Sequence, residues 1–223
     1  MKTNTLIIGT VVLALSISAC QNRATKSDDE STSMTDTTHM MDTTMAMGGM
    51  MKGSMDKMMQ DMHQMTMTGN MAADFAMMMK SHHEGGIAMA KEELRSGTDE
   101  GLKQIAQKII DKQTSEVNEL QSYIDSRKNP EKNYDPAKKD EGFAKHMSEN
   151  MNMMMKMPNT GSGASTDKQF AQMMIAHHQS GIHMAEGYVQ YGKDQALLTM
   201  AKKMIEDEKK EIEELKKWDE SHK

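Results

Sequence analysis

Two stretches decide the fold: Phe75-Ala76-Met77-Met78-Met79-Lys80-Ser81-His82-His83 and Phe170-Ala171-Gln172-Met173-Met174-Ile175-Ala176-His177-His178. They lie 95 residues apart, and the offset continues without a gap. Ile87, Met89, Ala90 and Gly97 match Ile182, Met184, Ala185 and Gly192; Ala106, Ile110, Glu116 and Leu120 match Ala201, Ile205, Glu211 and Leu215. Upstream, Met58, Met59 and Met62 match Met153, Met154 and Met157. A fixed offset held over this length means one structural unit used twice.

Each copy has helical periodicity. From Phe75 the apolar stripe runs through Met78/Met79, His82, Gly86, Met89 and Leu94 at spacings of three and four. Gly97 is a stop, and Thr98 or Asp99 can cap a second helix through Leu102, Ile105/Ala106, Ile109, Gln113, Glu116/Val117 and Leu120, which Asn129-Pro130 ends. The second copy repeats this through Met200/Ala201, Met204/Ile205, Glu208, Glu211/Ile212 and Leu215. One hairpin with so few large apolar residues cannot bury a core, but two can form an up-down four-helix bundle. A Met-rich segment precedes each hairpin, Met47 to Met65 and Phe143 to Met154. Glycines at 48, 49 and 53 weaken the first by about 1 kcal/mol each. Both segments read as short, marginal helices that order on packing or on metal.

Composition narrows the function. Met supplies 30 of 223 residues while aromatics make up 4%, and past residue 20 only six Leu remain. Met therefore fills many positions where Leu would pack. A net charge of −6 argues against a nucleic-acid partner, which needs a basic face. Lys2 and the apolar run Leu6–Ala19 form a signal segment too short for a transmembrane helix. It ends in Ile17-Ser18-Ala19-Cys20, which resembles the lipobox of bacterial lipoproteins. The resemblance implies cleavage before Cys20, lipidation of its thiol and a place in the bacterial cell envelope, on the periplasmic or cell-surface side. Cys20 is also the chain's one cysteine, so the mature protein has no disulfide and no thiol ligand. The expected organisation is a signal peptide at 1–19, a Ser/Thr/Asp-rich disordered tether at 20–44, a first repeat at 45–128, a linker at 129–149 and a second repeat at 150–223.

The His pairs carry the chemistry. His82 and His177 fall on the apolar stripes, and His83 and His178 on their flanks. Met78 and Met173 stand four residues before the first His of each pair, Met79 and Met174 four before the second, so each imidazole has a thioether one turn away. Counting from the turns places Gln113 opposite His82 and Glu208 opposite His177, with Glu116 and Glu211 one turn on as ligands or as partners for a ring N–H. Each copy is thus expected to gather its own pocket of two His, two Met and a carboxylate or amide. Uncharged thioether sulfur suits Cu(I) or Ag(I), and imidazole suits copper; Zn(II) or iron would want more Cys or carboxylate ligands. Against this stands ordinary core packing, for which Met stripes are common. The consecutive Met153-Met154-Met155 cannot all share one face. His183, where the first copy has Ala88, is expected in solvent; His39, His63 and His146 are auxiliary ligands at most.

The segments His82-His83-Glu84-Gly85-Gly86-Ile87-Ala88-Met89-Ala90 and His177-His178-Gln179-Ser180-Gly181-Ile182-His183-Met184-Ala185 resemble the signature of the family catalogued as domain of unknown function 305. Ser180 departs slightly from its usual Gly or Ala. The resemblance covers about 150 residues and implies an all-α, ferritin-like fold. That family includes periplasmic proteins that bind copper and silver and confer copper resistance. It implies ligand roles for Met78, Met79, His82, His83, Met89 and for Met173, Met174, His177, His178, Met184. The resulting expectation is a non-enzymatic, lipid-anchored binder of Cu(I) or Ag(I), exchanging metal with a protein whose identity the sequence does not give. Two rivals are a di-iron carboxylate oxidase using Glu116, Glu208 and Glu211, and a structural envelope stress module. Against the oxidase, Gln113 replaces the Glu208 equivalent and no helix carries Glu-x-x-His.

Overall fold

The computed structural model describes residues 37–156 and 163–222, with side chains from Met51 onward. Six helices follow one another: α1 Thr37–Gln64, α2 Met71–Ser96, α3 Glu100–Ser126, α4 Gly142–Met154, α5 Thr166–Tyr191 and α6 Gln195–Ser221. The architecture is all-α, a bundle of two hairpins, α2–α3 and α5–α6, each preceded by a Met-bearing helix.

Local chemistry sets the helix ends. The side chains of Asn70, Asp99, Ser165 and Asp194 accept the first free N–H groups of α2, α3, α5 and α6, the usual N-cap device. Asp99, rather than Thr98, caps α3, with its carboxylate 2.7 Å from the Leu102 amide. Gly97 and Gly192 end α2 and α5 in extended backbone, which needs no left-handed turn.

Helices α2 and α5 form the middle of the bundle and run antiparallel. Phe75 early in α2 stacks at 4.4 Å on Tyr188 late in α5, while His82 further along α2 meets His177 earlier in α5. The outer helices α3 and α6 each cover their own hairpin partner and touch one another more sparingly.

Helix α1 lies across α2. Met51, Met55, Met58 and Met62 form a stripe at spacings of four, three and four, all buried. Each such burial contributes about 1.5–3 kcal/mol, which outweighs the glycine deficit of the segment. The helix is accordingly long, 28 residues, and not a short one. It begins at Thr37, inside the stretch read as tether, just as α4 begins at Gly142 inside the stretch read as linker. The signal segment, Cys20 and the tether up to residue 36 lie outside the described residues. In the Met triplet Met154 is buried, while Met153 and Met155 are exposed. Among the described residues no helix is long and apolar enough to cross a membrane.

Candidate metal centre

Where α2 crosses α5, the equivalent His pairs of the two copies meet. The rings of His82 and His177 stack with centroids 3.8 Å apart and planes 13° from parallel. His83 and His178 flank them, with centroids 6.1 and 5.8 Å from their chain neighbours. All four side chains are fully buried. This departs from the sequence reading in two ways. The flanking histidines are as deep as the stripe histidines, and the copies share one centre instead of holding a pocket each. Periodicity assigns a face to each helix, but the antiparallel packing of α2 on α5 brings equivalent faces together.

Helices α3 and α6 close the centre with carboxylates and an amide. Glu116 lies 3.1 Å from His83 Nε2, and Glu211 lies 2.8 Å from His178 Nε2. Both are ion-pair distances. Glu208 is 3% exposed and Gln113 1%, and they come in over two glycines of the signature. A Cβ at Gly86 would collide with Gln113 Oε1 and lie 2.6 Å from His177 Nε2; one at Gly181 would lie 2.6 Å from Glu208 Oε2. These two glycines let the polar side chains reach the middle of the bundle.

The electrostatics favour neutral groups. Burial, then the neighbouring imidazoles, holds His82 and His177 well below their ordinary value, so both keep a lone pair free at neutral pH. Burial, then the charges of Glu116 and Glu211, pushes Glu208 well above the carboxylate range, which favours its neutral form. Apart from the carboxylates that face His83 Nε2 and His178 Nε2, the ring nitrogens of the four histidines, the amide atoms of Gln113 and the carboxyl oxygens of Glu208 are buried without a hydrogen-bond partner in the protein. A buried polar group that goes unmet costs about 1–3 kcal/mol, so a centre this rich in imidazole, amide and carboxyl groups is unusual for a packed core. His82, His83 and His177 each offer a ligand atom within 4.8 Å of the others, which is the reach of a single metal ion.

The thioethers share this core. Met79, Met89, Met174 and Met184 are completely buried, Met78 and Met173 nearly so. Met78 also lines a cleft of about 240 Å³ between α1, α2 and α4, in which seven of fourteen lining residues are Met. His63, exposed on α1, stands at its rim, and Met62, Met147 and Met151 are among its walls. The sequence reading missed this cleft because it joins α1 to α4 across the copies. Gln113, placed opposite His82 by counting from the turn, comes in over Gly86 beside the His177 ring. His183 is not in solvent: it is half-buried and stacks on His146, with centroids 4.0 Å apart.

The chain belongs to the family described as Domain of unknown function (DUF305), whose profile matches residues 16–124 and 72–219. The overlap of the two matches coincides with the first hairpin. A solved structure of a candidate secreted DUF305 protein from Streptomyces coelicolor is similar, with a TM-score of 0.53 and 22% identity over 67% of this chain and 91% of that one. At that identity the likeness bears on the fold. No curated protein matches the chain.

Proposed function

We propose that this is an extracytoplasmic, lipid-anchored protein that binds Cu(I) or Ag(I) without catalysing a reaction, and so sequesters or passes on soft metal outside the cytoplasm. The observation that carries the reading is the fully buried set of four imidazoles at the α2–α5 crossing, with His82, His83 and His177 each offering a ligand atom to one point. Burial keeps the stacked pair neutral, the form in which imidazole donates to a metal. The methionines buried in the same core, Met79, Met89, Met174 and Met184, bias the choice toward a soft monovalent ion. Met78 stands one turn before His82 and also lines the Met-rich cleft. The Cys20 lipobox and the secreted description of the Streptomyces relative support a location outside the cytoplasm.

The test is an anaerobic Cu(I) titration against a chromogenic chelator. Several equivalents should bind per chain, and the double variant His82→Ala/His177→Ala should lose part of them. Binding of less than one ion per chain contradicts the reading. A second reading draws on the closeness of Glu116 and Glu211 to the imidazoles and of Glu208 to those two carboxylates. A divalent ion could displace the proton on Glu208 and form a di-metal carboxylate centre. Protein purified with stoichiometric iron and an oxo-bridge absorption would favour it over Cu(I).

A further inference from the structure

Away from the buried centre, α4 and α5 carry a second group of donors. His146 and Glu149 lie three residues apart on one face of α4, and His183 faces them from α5. Each offers a ligand atom, and these atoms all lie within 4.8 Å of one another. We infer that His146, Glu149 and His183 form a separate site for a borderline divalent cation, Cu(II) or Zn(II), at the α4–α5 interface.

The hydrogen bonding already prepares this site. His146 Nε2 donates to the His183 carbonyl oxygen at 2.6 Å, which fixes the proton on Nε2 and leaves Nδ1 as the lone-pair nitrogen. Metal-binding histidines are commonly oriented in this way, with the second ring N–H held by a carbonyl. His183 Nδ1 is buried and has no hydrogen-bond partner in the protein. The rings are stacked 13° from parallel, so His183 must turn about χ2 to bring its lone pair onto an ion beside His146, whose carbonyl bond is kept. Glu149 is exposed and adds an oxygen from the solvent side.

The donor set separates this site from the buried one. Two imidazoles and a carboxylate with an open side suit Zn(II) or Cu(II). The site is also peculiar to the second copy. Ala88 stands where His183 does, and Glu92 where Gly187 does. Gly187 matters because a Cβ there would collide with the His146 ring, with Cγ and Nε2 both at 2.9 Å. The bare backbone of α5 is what seats His146.

The experiment is an aerobic Cu(II) titration of the full chain, followed by electron paramagnetic resonance, on wild type, His183→Ala and Glu149→Gln. The first substitution installs the residue of the other copy and the second changes an exposed side chain, so both keep the fold, which circular dichroism checks. Wild type should bind one Cu(II) more than His183→Ala, and that ion should show nitrogen hyperfine structure from two imidazoles. Glu149→Gln should weaken it on the order of tenfold. Ag(I) uptake should be the same in all three, which separates this site from the buried one. Equal Cu(II) stoichiometry and spectra in wild type and His183→Ala would overturn the inference.

Discussion

Replacing Gly86 by Ala tests whether the centre of the bundle is built as described. In a helix, Gly→Ala ordinarily stabilises by roughly 1 kcal/mol, because Ala restricts the unfolded chain and favours the helix. Gly53 in α1 provides the reference, since a Cβ there meets nothing within 4 Å. Gly53→Ala should therefore stabilise by about 0.5–1 kcal/mol. At Gly86 the new methyl meets Gln113 Oε1 and lies 2.6 Å from His177 Nε2. The glutamine tip can swing aside. The His177 ring cannot, because it is fully buried and stacked on His82. Overpacking of this kind costs about 1–3 kcal/mol. Set against the helix gain, the net is a loss of about 1–2 kcal/mol, or several degrees in Tm at about 2–4 °C per kcal/mol. Gly181→Ala should be milder, because only the flexible Glu208 carboxylate must yield. Thermal and urea unfolding of the three variants gives the order. If Gly86→Ala stabilises as much as Gly53→Ala, the packing described around His177 is wrong.

Volume-conserving Met79→Leu and Met174→Leu should change stability by less than about 1.5 kcal/mol, yet weaken Ag(I) or Cu(I) binding if their sulfurs ligate; an unchanged chelator competition would reduce these fully buried methionines to core filler. At a hundredfold excess over Kd, Ag(I) should stabilise the fold by about 2.7 kcal/mol, raising Tm by roughly 5–10 °C. In His82→Ala/His177→Ala most of that shift should vanish, and an unshifted wild-type melt would contradict the binding reading. Glu93 has its carboxyl pushed up to about 8, first by burial and then by the charge of Asp167. The folded state therefore keeps a proton that the unfolded chain releases near the ordinary value of 4.5. Stability should fall as pH rises from about 4.5 to about 8 and be flat above, with on the order of 2–4 kcal/mol at stake. Glu93→Gln should flatten that slope, as melts taken across the pH range would show.

The hairpins were legible in the sequence because two signals agreed there. The 95-residue offset fixed the equivalence of the copies, and the stripes of α2, α3, α5 and α6 had helical spacing bounded by cap residues. The depth of His82 and His177 followed from the same stripes. Tertiary packing decided the rest. Nothing in a single helix says which faces of two hairpins will touch, so the merging of two His pairs into one centre was not readable. Helix α1 was underestimated because its glycines argued locally against it, whereas Met51, Met55, Met58 and Met62 gain their stability only by lying on α2. His183 was misplaced in solvent because its cover, His146, comes from a segment read largely as linker. The one hint was the mismatch between copies, His for Ala88 and Gly for Glu92.

The most direct test is a crystal structure of the silver-loaded protein with the metal located by anomalous scattering. The account predicts a silver peak at the α2–α5 crossing, bound by imidazole nitrogen from His82 or His177, with thioether sulfur completing its shell. Silver confined to the surface, with the four buried imidazoles holding only water, would contradict it.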